Sequence, residues 1–302
     1  MDPVRRTVRL PLPVDLPLTL SPLRRGFGDP TMLRDRAGSW WRATRTCEGP
    51  ATARYTQAAA DAVEVQAWGP GAAWALEHAP ALLGSGDRLD GFDPASGLLR
   101  ELHRRMPGLR MTRTEAVFEA IVPSVLEQKV PGASARAAFR SLVRRYGEPA
   151  PGPGGLLLPP APERLAATPS FDFHPLGIEA RRAGVLREIA RRAPKVEATL
   201  AMPLPGAYRR LQAFPGIGPW TAAEVAIVAL GDADAVSVGD YHLPHMVAWA
   251  LAGHARGNDD LMLELLEPYR GHRGRVLRLL GAAGISPPRR GPRLPLARFA
   301  SI

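Results

Sequence analysis

At 302 residues and 45% hydrophobic content, the chain is long enough to bury a sizeable core and fill two domains, so it reads as globular. Its formal charge of +10 points to a polyanionic partner, although the only lysines are Lys129 and Lys195, an arginine bias that a GC-rich genome explains as well as phosphate contact does. The single Cys47 excludes an intrachain disulfide and a Cys-ligated iron–sulfur cluster, and with no signal-peptide core and no apolar run of ~18 residues, a cytoplasmic protein that does not cross a membrane is expected.

In chain order, residues 1–105 predict an α+β unit. Short runs at 16–20, 39–46, 51–55 and 62–68, rich in β-branched or aromatic residues and separated by Gly-Asp-Pro and Glu-Gly-Pro turn signals, predict an antiparallel sheet. Helical spacing follows at 72–83 and 94–106. Trp40 and Trp41 are adjacent, so in a strand they face opposite sides and at most one is expected in the sheet's core.

Residues 106–285 read as helical. Thr112-Arg113-Thr114-Glu115 has the spacing of a capping box, and Val117, Phe118, Ile121, Val122, Val125 and Leu126 form an apolar stripe in which Pro123 predicts a kink. A second helix is expected over 133–146, stopped by Gly147, and then a connection rich in Pro and Gly over 148–162. Over 179–193 a helix carries Arg181, Arg182, Arg187, Arg191 and Arg192, read as a solvated face that adds general positive potential. Further helices are expected at 241–252, at 259–269 and from about 273, where the cluster Arg270-Gly271-His272-Arg273-Gly274-Arg275 suits a phosphate or plain solvent equally. A basic tail rich in Pro and Arg occupies 286–302.

The helical part is organised by the stretch Leu211-Gln-Ala-Phe-Pro-Gly-Ile-Gly-Pro-Trp-Thr-Ala222. A helix over 206–213 and another opened by Pro219 and running to about 230 enclose a tight turn. Gly216 and Gly218 permit positive φ and close backbone approach, Ile217 can tuck between the helices, and the second helix aims the positive end of its dipole at the turn. A phosphate would be gripped well by such a loop. Downstream, Gly239-Asp240 before Tyr241-His-Leu-Pro-His is a good helix N-cap, while His242 and His245 lack a third ligand at helical spacing and read as structural.

Phe-Pro-Gly-Ile-Gly-x-Trp-Thr-Ala, followed 22 residues after Gly218 by the Asp240-Tyr241 pair, resembles the helix-hairpin-helix DNA glycosylases, closest to the 3-methyladenine DNA glycosylase II branch. The resemblance implies an N-terminal antiparallel sheet domain followed by an all-helical domain. It also implies a monofunctional enzyme of base excision repair that flips alkylated purines, of 3-methyladenine or 7-methylguanine type, out of double-stranded DNA and hydrolyses the glycosidic bond. Asp240 matches the catalytic carboxylate, stabilising the sugar cation, activating water or both. Trp220 and Tyr241 match a base pocket whose aromatic faces favour cationic bases. Gln128, Gly216, Ile217, Gly218 and Thr221 match DNA contacts, with Lys129 where relatives place an apolar wedge and Arg273 added from the basic cluster.

Relatives that cut the strand carry a nucleophilic Lys where this chain has Trp220, which implies no lyase activity. A further aromatic on the hairpin's second helix is replaced here by Glu224. Members often bind Na⁺ or K⁺ through backbone carbonyls near Phe214 and Ile217; no other cofactor and no protein partner is implied, and a bacterial, nucleoid-associated protein is expected. The alternatives are a glycosylase for mismatched or deaminated bases and a DNA-binding module without catalysis.

Overall fold

The computed structural model describes residues 2–94 and 96–288, so most of the expected basic tail lies outside the described residues. Five strands, β1 (Val4–Arg9), β2 (Met32–Arg34), β3 (Trp40–Thr46), β4 (Gly49–Ala59) and β5 (Ala62–Trp68), form one antiparallel sheet in the order β1-β5-β4-β3-β2. The expected strand at 16–20 is instead a helix, α1 (Leu16–Leu20). Asp15 accepts the Leu18 N–H at 2.8 Å, and Pro17 sits in the first turn where its missing donor costs nothing. Helix α2 (Ala72–Leu82) falls where its spacing predicts.

One sheet face is closed by α1 and α2, which bury Val8, Trp40, Tyr55, Val63 and Val65 with Leu16, Leu20 and Leu76. The other face is closed by the Pro- and Gly-rich connection, whose Leu156 and Leu158 pack on Trp41 and Trp68. Those two indoles stack at 5.3 Å with planes 16° apart. Trp40 and Trp41 are therefore both buried, contrary to the expectation that one would stay at an edge: a sheet covered on both faces has two cores. Hydrogen bonds to backbone carbonyls fix the connection, the Leu157 N–H donating to Pro30 O at 2.8 Å and the Arg45 side-chain Nε to Pro159 O at 2.7 Å.

After α3 (Gly97–Arg105) the chain builds α4 (Val117–Leu126), α5 (Gly132–Tyr146), α6 (Pro162–Ala167), α7 (Ala180–Arg191), α8 (Ala193–Glu197), α9 (Leu204–Gln212), α10 (Pro219–Val225), α11 (Leu243–Ala252), α12 (Asp259–Leu266) and α13 (Arg273–Ala282). A π turn, Ala226–Leu230, extends α10 to Gly231, near the expected end. Helices α4, α5, α7, α9 and α10 share one core that includes Val117, Ile121, Leu142, Leu186, Leu211, Ile217 and Val225. Leu99 and Leu102 of α3 pack instead with Val247, Met262, Leu266 and Val276 of α11, α12 and α13. Packing therefore does not divide at residue 105; α3 belongs with the C-terminal helices.

The start of α4 departs from the capping-box expectation. Glu115 has φ of 54° and its N–H is used by Ala229 O, so it cannot reach back along the helix. The Val117 and Phe118 N–H groups are instead satisfied by the carboxylate of Glu197, at 3.0 and 2.8 Å. At the other end, Arg182 donates to Leu126 O at 2.7 Å. Arg182 is buried and does not belong to the solvated arginine face.

Candidate active site

The hairpin between α9 and α10 positions everything nearby. Phe214 and Ile217 are buried in the helical core, so the turn is fixed by its own apolar side chains, as expected of Ile217. Gly216 has φ of 85°, and a Cβ there would lie 2.3 Å from a Val185 methyl carbon, which requires glycine twice over. Gly218, expected to share that freedom, is extended with φ of −90° and ψ of −178°; a Cβ on it would meet nothing within 4 Å. Its lack of a side chain leaves the open side of the turn clear.

Gln128 joins this hairpin to the turn after α4. Its amide Nε2 donates to Gly216 O and to Thr221 Oγ1, both at 2.9 Å. Thr221 is buried, so its hydroxyl serves this bond and is not available to a phosphate. Lys129, next in the chain, is exposed with φ of 55°, a conformation uncommon for any residue but glycine. Beside the turn, Arg25 Nη1 lies 3.5 Å from Glu127. On the far flank, Arg192, Lys195 and Arg210 line a basic cleft of about 340 Å³ with Ala213 and Phe214.

Asp240 stands across from the hairpin on the loop before α11. Its Oδ1 accepts the N–H groups of His242 and Leu243 at 2.7 and 2.9 Å, and its Oδ2 accepts Trp220 Nε1 at 3.0 Å; the N-cap of α11 is His242 and not Asp240 as expected, so the carboxylate ties down the loop two residues ahead of that cap. Three N–H donors thus fix one half-buried carboxylate. Behind it, Asp259 accepts the Gly239 N–H through both oxygens, at 3.0 and 3.2 Å, where Gly239 takes φ of 88°. This second aspartate escapes sequence reasoning because nothing local to it signals the contact. Tyr241 is 79% exposed and packs edge-on against His242 and His245 rather than on Trp220. His245 Nδ1 accepts the Gly257 N–H at 3.1 Å, a structural role, and among the described residues no cluster of His, Cys, Asp and Glu could hold a metal ion.

Glu224 lies one helical turn beyond Trp220 and accepts Ser237 Oγ at 2.5 Å. Burial pushes its carboxyl up to about 7; Ser237 and Arg25 pull it down, whereas Glu127 and Asp240 push it further up.

The basic cluster at the start of α13 is not a free phosphate site. Arg273 holds Asp234 with two bonds, at 2.9 and 2.6 Å, Arg270 pairs with Glu267, and Arg275 is buried against Asp87. Charge that seemed open in the sequence is neutralised by Asp234 and Asp87, distant in it, and by nearby Glu267, and Arg273 braces the Asp234 turn.

No protein-family profile matches the chain. In fold it is similar to 3-methyladenine DNA glycosylase from Archaeoglobus fulgidus, with a TM-score of 0.75 and 20% identity over 92% of this chain and 98% of that one. It is also similar to the 8-oxoguanine glycosylase/lyase of Clostridium acetobutylicum, with a TM-score of 0.69 and 14% identity over 93% and 98%. The chain thus shares its fold with both of these solved structures. In sequence the chain is 35% identical over 150 residues to DNA-3-methyladenine glycosylase 2 of Escherichia coli, covering 48% of this chain and 52% of that protein. It is 26% identical over 182 residues to DNA-3-methyladenine glycosylase of Bacillus subtilis, covering 58% and 60%. The chain spans about half the length of the curated relatives it matches. No helix among the described residues is long and apolar enough to cross a membrane.

Proposed function

We propose that the chain is a monofunctional DNA glycosylase that flips alkylated purines out of double-stranded DNA and hydrolyses their N-glycosidic bond, with Asp240 as the catalytic carboxylate. The observation that carries this reading is the fixing of Asp240 by His242, Leu243 and Trp220, the last on the helix that leaves the hairpin. As the base departs, positive charge develops on the sugar, and a pre-oriented carboxylate stabilises it without having to reorganise. Water, guided by the same group, completes the hydrolysis. The names of the sequence relatives favour alkylated purines as the substrate.

The shared fold does not separate glycosylases from glycosylase/lyases, because both kinds of solved structure match it. Trp220 supports the monofunctional reading: it holds the position of a lyase's amine, offers no nucleophile, and turns its N–H toward Asp240. Lys129, exposed at the tip of its turn, would enter the minor groove as the base leaves the stack, while Gln128 ties that movement to the hairpin. A Na⁺ or K⁺ ion at the hairpin would be held by the Phe214 and Ile217 carbonyls. Phe214 O accepts the Ile217 N–H at 3.1 Å, which leaves it a lone pair for the ion. Such an ion would add positive charge where a phosphate docks.

The deciding experiment measures free base released from N-methylated duplex DNA by the wild type and by Asp240→Asn, with strand breaks scored before and after alkali. Release that the substitution abolishes, with breaks appearing only after alkali, is the expected result. Equal release by Asp240→Asn would remove Asp240 from the chemistry, and breaks before alkali would overturn the monofunctional assignment.

A further inference from the structure

We propose that Glu224 is the proton donor to a leaving base that carries no positive charge of its own. The inference rests on the glycosylase reading of the Asp240 site. Glu224 and Trp220 are four residues apart on one helix and so share a face. Ser237, whose hydroxyl binds Glu224, also accepts the Asp240 N–H through its carbonyl at 3.2 Å, so one residue ties both carboxyl groups to one loop. Glu224 also senses Glu127 and Arg25, from the turn after α4 and the N-terminal loop. The turn after α4, the N-terminal loop and the loop that carries Asp240 therefore all act on this side chain.

Its bonding is that of a working group rather than a structural one. Glu224 is half-buried, and a carboxyl withdrawn from water to serve the fold is normally satisfied by a cation or by several donors. Glu224 makes no ion pair among the described residues, since Arg25, the cation it senses, pairs with Glu127, and its one hydrogen bond occupies Oε1 alone. Oε2 is left available to a guest. Burial also holds the acid near neutral titration, the range in which it can both carry and release a proton.

A purine methylated on a ring nitrogen is already cationic and departs as a neutral molecule. An uncharged purine such as hypoxanthine would depart as an anion unless protonated. In the proposed step the Glu224 proton passes to a ring nitrogen of the base, and the electron pair of the breaking C1′–N9 bond stays with the base. Asp240 stabilises the sugar cation, and a water oxygen bonds to C1′ and loses its proton to solvent. Glu224, left as carboxylate, recovers a proton from solvent. Atoms and charge balance as hydrolysis, with no other reactant.

The test is single-turnover release of hypoxanthine and of 7-methylguanine from otherwise identical duplexes, by wild type, Glu224→Gln and Ser237→Ala, from pH 5.5 to 9. In the wild type the ratio of hypoxanthine to 7-methylguanine rates should fall as pH rises through about 7. Glu224→Gln should lower that ratio at least ~10-fold and flatten its pH dependence, since general acids contribute roughly 10² to 10⁴. Ser237→Ala should move the midpoint to higher pH, because the Ser237 bond favours the carboxylate; a merely structural role would not produce that shift. Thermal melting of each variant verifies folding. A pH-independent ratio, an unchanged ratio in Glu224→Gln, or release of 7-methylguanine without hypoxanthine would overturn this inference and leave the glycosylase reading standing. Release of neither base by the wild type would overturn both.

Discussion

The indole N–H of Trp220 donates to Oδ2 of Asp240 at 3.0 Å, joining the helix that leaves the hairpin to the loop that carries the carboxylate. An aromatic expected only to stack therefore also holds the proposed catalytic carboxylate. Trp220→Phe keeps the aromatic face and loses the donor. Base release should slow about 10- to 100-fold, in line with roughly 1.5–3 kcal/mol for a hydrogen bond to a charged group. A Trp220→Phe enzyme as fast as the wild type would show that the bond does not orient Asp240 during catalysis.

Gln128 holds the Gly216 carbonyl and the buried Thr221 hydroxyl together. In Gln128→Ala that hydroxyl loses its partner, and the fold should weaken by about 1–3 kcal/mol in chemical denaturation. DNA affinity at fixed salt should fall as well, because the turn bearing Lys129 is no longer anchored to the hairpin. Full stability with full affinity would mean that the two turns do not depend on each other.

Glu224 also sets a pH dependence of stability. Its carboxyl titrates near 4.5 when unperturbed and is pushed up to about 7 by burial in the fold. Below 4.5 both states are protonated and burial of the charge costs nothing; between 4.5 and about 7 the unfolded chain ionises first, so the native state loses stability as pH rises. Above about 7 the loss levels off. Glu224→Gln should therefore gain on the wild type by up to about 3 kcal/mol between pH 4.5 and pH 8, measured by urea titration at each pH. A stability difference constant with pH would contradict the burial of this group.

Asp87 and Arg275 form a pair buried on both sides, with Arg275 Nη1 3.0 Å from Asp87 Oδ2 and the buried Arg110 close by. Asp87→Asn leaves two guanidinium groups without their counter-charge and should cost about 3–5 kcal/mol. Salt should barely change that loss, since the pair is shielded from solvent. A loss that vanishes in salt would mark the contact as a surface one.

What the sequence made legible was local chemistry. Gly216, Ile217, Trp220 and Asp240 act through neighbours a few residues away or through a motif of fixed spacing, and the hairpin and its helices follow from those residues alone. The contacts it concealed join distant positions. Glu197 caps α4 from 80 residues away, and no local pattern distinguishes it from a surface glutamate. Arg275 reads as part of a solvated cluster until Asp87, 188 residues earlier, is brought beside it. Trp41 looks like an edge residue until the Pro- and Gly-rich connection folds over it. Gly218 shows the opposite limit: its backbone needs no glycine, so the residue's worth lies in the space it leaves.

Leu99 and Leu102 close the core of the last three helices, while Leu156 and Leu158, contributed by the helical part, close the back of the sheet. Each half therefore borrows a piece of its interior from the other. Neither can be excised without stripping a packed apolar face from what remains, so the two halves should melt as one cooperative unit on heating.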